Sequence, residues 1–288
     1  MPIRKRYGST KDPIDRRDLL LAAAPIVVEA PLPTATFNRH WVLYIKDQGD
    51  TGSCTGQRTA AQLSWLRFRY RQEGINFSAM FAYDMERMLE GTPLDEDAGA
   101  NPRSGCRVIA KYGLCLESQM PYVDKQYMVP PTQAQIQDAL PYQGCGYHRL
   151  RNLSDLKHCM ASLPGFPGYT SSFGFDVPES FESDEVAKTG LLPMPRPDEN
   201  MVGGHDMHAV DYDDSIWCPN APSPGAVLCQ NSWGEDWGCD PGIGKRGFVW
   251  VPYAAIPQLV SDMWMVHLGA AWAPPARKPG LTPGLAAA

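Results

Sequence analysis

The sequence predicts an α+β protein of two lobes, helices in the first half and strands in the second, with a reactive cleft where they meet. Three observations predict it. Behind Cys54 the residues Thr59, Leu63, Leu66 and Tyr70 recur at helical spacing. From Tyr122 onward the texture turns to Pro, Gly and aromatic residues around short apolar runs. A glycine-bracketed cysteine opens the first helix, while a histidine and an asparagine sit in predicted strands of the second half.

Residues 1–36 read as an extended N-terminal arm, basic at first (Arg4, Lys5, Arg6, Lys11, Arg16, Arg17) and then broken by Pro25, Pro31 and Pro33. Arg16-Arg17 followed by Leu19 to Ala24 imitates a twin-arginine export signal, but the apolar run ends at Pro25 and Glu29. A mature arm, and a cytoplasmic rather than exported protein, is the expectation. With no other inhibitory segment in the chain, this arm is expected to lie over or near the cleft.

Trp41 to Lys46 leads into Gln48 to Gln57, QGDTGSCTGQ. Gly49 and Gly52 let the backbone approach a bound group, and Cys54 heads the helix predicted over 55–71. A thiol there meets the positive end of the helix dipole, which favours thiolate. Free backbone N–H groups at the same place, with a nearby Gln amide, can hold a developing oxyanion. A second helix is expected from the cap Ser78 to Leu89, with Phe81, Met85 and Met88 inward, and a third from Arg103 to Tyr112, stopped by Gly113. The acidic run Asp95-Glu96-Asp97 reads as a solvated loop.

In the second half, strands are expected over 203–212, 226–231, 248–253 and 263–268. The Pro- and Ala-rich residues 271–288 read as a tail. A net charge of -6 excludes a general nucleic-acid binder, and no apolar run reaches the roughly 18 residues that a membrane span needs. None of the eight cysteines has zinc or redox spacing, so no metal or cofactor is expected. Cys218 and Cys239, both in loops, read either as a disulfide or as free thiols.

A cysteine nucleophile needs a base to hold its proton and a third group to orient that base. His205 in VGGHDMHAVDYDD and Asn231 in LCQNSWGEDWG supply those types. His208 is the rival base; three residues from His205 in a strand, it faces the other way, which also argues against a two-His metal site. These motifs, with Gly52-Ser53-Cys54 after Gln48, Gly203-Gly204-His205, Asn231-Ser232-Trp233-Gly234 and Trp237-Gly238, resemble the papain-like cysteine peptidases of the bacterial or viral kind without a long propeptide. Lys111 to Cys115 and Pro121-Tyr122 resemble that family's middle region. The resemblance spans roughly residues 36–265. It implies a papain-like fold over 37–270, with a helical lobe (about 48–125), a β-barrel-like lobe (about 126–270) and the active site between them.

The resemblance also implies roles. Cys54 would be the nucleophile, His205 the general base and acid, Asn231 its orienter and Gln48 the oxyanion donor. Trp233 would shield the Asn–His hydrogen bond, and Gly99 and Ala100 would offer backbone hydrogen bonds to an extended polypeptide substrate. An assembly partner, if there is one, would engage the arm or the tail. Departures are Thr51 in place of a disulfide-forming cysteine, Thr55 and Gly56 after the nucleophile, an insertion at Cys239 to Arg246, Asp206 directly after His205, and Asp211 in place of a glycine. Asp206 would either raise the pKa of His205 or point to solvent. Rival readings are a silent scaffold kept for binding or assembly, and an amidase or acyltransferase on a non-peptide amide. A G-x-Cys-x-G elbow of an α/β-hydrolase is disfavoured, because polar Lys46 to Asp50 replaces the strand that fold requires.

Overall fold

A computed structural model describes residues 6–21 and 31–269. The N-terminal half is a helical lobe. Helix α1 (Cys54–Arg71) runs through its centre and is buried almost all round, from Cys54 through Leu66, polar residues included. Its C-terminus closes on Gln72 in the left-handed region. Helix α2 (Ala79–Glu90) starts where Ser78 accepts the N–H of Phe81 and stops at Gly91, whose φ of 72° suits a residue with no side chain. Helix α3 (Pro102–Lys111) is capped by Asn101 on Ser104 N–H. Phe81 and Met85 are inward as expected, but Met88 is 46% exposed; a residue three after Met85 has turned past the buried stripe.

The second half adds short helices, α4 (Gln133–Ala139), α5 (Leu153–Met160), α6 (Asp184–Thr189) and α7 (Ile256–Leu259), around an antiparallel sheet. Its strands are β1 (Cys145–Leu150), β2 (Ser171–Pro178), β3 (Met201–Asp213), β4 (Ala226–Gln230), β5 (Phe248–Pro252) and β6 (Val260–Leu268), in the order β1-β6-β2-β3-β4-β5. The four strands expected from sequence are β3 to β6. The expectation omitted β1, whose Gly-Tyr-His-Arg interior carries little apolar signal, and β2, which is buried throughout its middle and so lacks alternation. One apolar cluster lies between sheet and α1 (Trp65, Phe81, Leu228, Trp264); another covers the opposite face (Phe173, Phe175, Met207, Trp233).

Strand β3 sits near the middle of the sheet and lies against α1. Its far end is fixed by Asp211, fully buried, which accepts Thr36 Oγ1 at 2.8 Å, the N–H groups of Asn38 and Arg39, and Arg39 Nε at 2.8 Å. This carboxylate therefore ties the chain entering the domain to the central strand. All eight cysteines are free, Cys218 and Cys239 among them. Among the described residues no helix is long and apolar enough to cross a membrane. Residues 22–30, including the end of the export-like run, and the tail 271–288 lie outside the described residues.

The arm itself is docked. Leu19 C=O accepts Arg149 N–H at 2.7 Å, and Leu21 is buried in the second cluster. Asp12 accepts from Arg103 N–H and from Trp264 Nε1, beside Asp262, which is paired with Arg149. Burial, then the Asp262 charge, push the Asp12 carboxyl up to about 7. Its stabilising effect is complete below its ordinary value near 3.8 and is lost as pH rises through about 7. Melting temperature measured from pH 5 to 8 is expected to fall less steeply in Asp12→Asn than in the parent. Equal slopes would remove Asp12 from this account.

Candidate active site

Cys54 opens α1 at the sheet and is fully buried. His205, in β3, places Nε2 at 2.7 Å from Asn231 Oδ1, just past the end of β4. Asn231 Oδ1 also accepts Ser232 N–H at 2.8 Å, so its orientation is set from two sides. The Trp233 ring lies 5.5 Å from the His205 ring, backed by Phe181 and Trp237. His205 Nδ1 is buried and makes no hydrogen bond. The backbone of Asp206, the residue after His205, and of Gly8 lies near the Cys54 thiol, where each works against the rise of its pKa. Cys54 and His205 are thus one strand residue apart, without a hydrogen bond between them.

Gln48 is held by Ser232, whose hydroxyl donates to Oε1 at 2.7 Å. Its Nε2 donates to Thr51 C=O at 3.0 Å and, at 2.9 Å, to the carbonyl of Arg6. Tyr122 braces the same loop by donating to Gln48 C=O at 2.7 Å.

The Arg6 carbonyl belongs to the arm, and the arm fills the cleft. Ala100 N–H donates to Gly8 C=O at 2.8 Å, and Thr10 N–H returns to Ala100 C=O at 3.0 Å, a parallel bridge about Ser9. On the other side Ser9 N–H donates to Gly204 C=O at 3.0 Å. Ala100 belongs to the helical half and Gly204 to β3, so three consecutive arm residues tie both lobes together. The fit leaves no space. A Cβ on Gly8 would lie 1.6 Å from Gly52 O, and one on Gly99 would lie 1.9 Å from Gly8 O. Gly99 N–H itself goes to Tyr83 OH, so Ala100 makes both backbone bonds to the arm, and Gly99 contributes the absence of a side chain.

Two sequence expectations need correction. Asp206 neither acts on His205 nor faces solvent. Neighbours in a strand point to opposite sides, so Asp206 turns towards α1 and binds Arg58 Nε at 2.7 Å, both side chains fully buried. Arg58 continues to Gln62 Oε1 and Pro102 C=O. Asp97 is not solvated: its side chain is buried, and it accepts Gly52 N–H, Tyr83 OH and Arg6 Nε. His208, on the α1 side like Asp206, is bound by Gln230 and Thr170. A small cavity beside the site is lined by Lys46, Arg58, Asp206, His208 and Gln230, together with Asn231 and Ser232 of the site itself. Among the described residues no cluster of His, Cys, Asp and Glu could hold a metal ion.

Burial under the arm sets the charge state. Desolvation pushes the Cys54 thiol up to about 12, and the same cause pushes His205 down to about 4. With the arm docked, both groups are neutral at pH 7.

No protein-family model matches the chain. Over 92% of its length it is 29% identical to an uncharacterised peptidase C1-like protein of Acanthamoeba polyphaga mimivirus, covering 88% of that protein. Its structure is similar to that of xylellain, a cysteine protease from Xylella fastidiosa, with a TM-score of 0.78 and 29% identity over 93% of this chain and 98% of the other. Digestive procathepsin L 3 of the Tenebrio molitor larval midgut shares the fold at a TM-score of 0.64 and 17% identity, over 93% of this chain and 77% of that one.

Proposed function

Since the chain belongs to the papain-like (C1) cysteine peptidases, we propose that it is itself a thiol peptidase, held latent by residues 6–10 of its own arm. One observation carries this reading. A polypeptide main chain already lies in the cleft, with a peptide carbonyl on the Gln48 amide and further backbone bonds to Ala100 and Gly204 on either side. Groups that receive a peptide in this way are suited to one whose carbonyl is to be attacked.

With the arm displaced, water returns to the cleft, the His205 pKa rises and that of the thiol falls, and the helix dipole favours the Cys54 thiolate. His205 Nδ1, unbonded in the latent form, is the nitrogen free to take the thiol proton, while Nε2 stays on Asn231. The thiolate forms a C–S bond to the substrate carbonyl carbon, and Gln48 Nε2 with the Cys54 N–H holds the oxyanion. The C–N bond then breaks as the imidazolium gives its proton to the leaving amine. Water, losing a proton to His205, attacks the thioester. The oxyanion re-forms, the C–S bond breaks, and the free acid leaves with the thiol restored. Trp233 keeps water off the Asn231–His205 bond. An amide outside a peptide could follow the same steps, but a cleft that takes five residues of main chain fits a polypeptide.

The test is intact-mass labelling with a peptidyl epoxide at neutral pH. One label per chain is expected, slow in the parent, lost in Cys54→Ala and at least a hundredfold slower in His205→Ala, in line with the usual general-base contribution. Labelling spread over several cysteines, or indifferent to His205, would favour a silent scaffold.

A further inference from the structure

Tyr7 lies on one side of Cys54 as the arm crosses the cleft, and its surroundings are specific. Its Cβ packs over Gly203, where any side chain would approach within 2.7 Å. Its ring meets His205 edge-on at 5.8 Å and Trp233 at 6.2 Å. Its hydroxyl donates to Glu182 Oε1 at 2.7 Å. Glu182 ends the 3-10 turn Glu179–Glu182, directly after Phe181, whose ring packs on Trp233 at 5.1 Å. The result is an aromatic slot with a carboxylate at its end. Among the described residues no Lys, Arg or His pairs with Glu182; Tyr7 is its hydrogen-bond partner.

The slot lies on the His205 side of the thiol. In the proposed reaction His205 delivers its proton to the leaving amine, so this is the side that holds the residue following the scissile bond. When the arm leaves, Tyr7 leaves with it, and Glu182 loses its partner between aromatic walls. A half-buried carboxylate there favours an incoming donor over an apolar side chain and repels an acid. The walls suit a flat or cationic group.

Resting on the peptidase reading, we infer that Glu182 selects the substrate residue immediately after the scissile bond, taking hydrogen-bond-donating side chains, tyrosine or arginine, ahead of phenylalanine and rejecting glutamate. Tyr7 occupies this slot in the latent enzyme as a stand-in for that residue. Burial and the Glu182 carboxylate raise the pKa of the Tyr7 phenol, which keeps it a donor.

The experiment uses the full-length chain carrying Gly8→Val, whose added side chain cannot coexist with Gly52 in the docked arm. Four quenched peptides differ only in the residue after the scissile bond: Tyr, Arg, Phe or Glu. Expected kcat/KM for Tyr and Arg exceeds that for Phe by roughly tenfold and that for Glu by more, as for a hydrogen bond to a charged group. Glu182→Gln in the same background should flatten the series, and Glu182→Arg should move Glu to the front. A series that is flat with Glu182 present, or unchanged by Glu182→Arg, overturns the inference while leaving the peptidase reading intact. Failure to cleave any peptide overturns the peptidase reading and this inference with it. A second measurement does not depend on turnover. In the otherwise intact chain, Tyr7→Phe and Glu182→Gln should each speed epoxide labelling of Cys54, and the double variant should be no faster than either. Additive effects would dissociate Tyr7 from Glu182.

Discussion

Gly8→Val in the full-length chain is expected to raise the rate of epoxide labelling at Cys54 by two to three orders of magnitude. The docked arm has Gly8 wedged between Gly52 and Gly99, with a Cβ overlapping Gly52 O at 1.6 Å, and backbone on both sides leaves nothing flexible to yield. The main-chain bonds forfeited are those of Arg6 to Gln48, Gly8 and Thr10 to Ala100, and Ser9 to Gly204. Main-chain hydrogen bonds contribute about 1 kcal/mol each, and 1.4 kcal/mol is a factor of ten in population. Losing the set therefore favours the open state by about 10²–10³. The remaining arm contacts at Asp12, Leu19 and Leu21 lie beyond the cleft and should persist, so the fold should survive. A labelling rate unchanged by Gly8→Val in a folded protein would mean that the arm does not restrain the enzyme.

Asp206→Leu alone, or Arg58→Met alone, is expected to lower stability by about 3–5 kcal/mol, the cost of stranding one member of a buried ion pair. Arg58 and Asp206 are both wholly inaccessible and 2.7 Å apart. Removing either leaves an uncompensated charge between α1 and β3. For a chain of this size that corresponds to a fall in melting temperature of roughly 10 °C. The double variant, with apolar side chains meeting across the same gap, should recover most of the loss. The same pair joins the helix that starts with Cys54 to the strand that carries His205, so surviving single variants should also label more slowly. Independent, additive losses in a thermal double-mutant cycle would rule out the pair as a unit.

How far the sequence could be read depended on the kind of signal. Helices α1 to α3 were legible from the apolar spacing behind Cys54, the cap Ser78 and the stop at Gly113, because spacing and caps are local chemistry. That His205 and His208 face opposite ways was legible from strand parity, and the structure puts His208 among Gln230 and Thr170. The same parity, applied one residue along, would have turned Asp206 towards α1; what it could not give was Arg58, four residues into a helix whose every face is buried. Asp97 was missed for a related reason. Its partners, Gly52, Tyr83 and Arg6, come from three separate stretches of chain, and an acidic run by itself resembles a solvated loop. Glu182 carries no motif, and its neighbours Tyr7 and Trp233 become visible only once the arm is laid across the sheet.

All eight cysteines are reduced, and this has a practical side. Burial holds Cys106, Cys115, Cys145 and Cys218 at about 12, Cys239 at about 11, and Cys159 and Cys229 higher than their ordinary value. At neutral pH the native chain is therefore chemically quiet towards electrophiles. Its background is the silence of seven inert sulfurs, against which one responsive sulfur stands out. A simple colorimetric thiol count, taken within seconds of mixing, becomes a census of molecules whose cleft has opened.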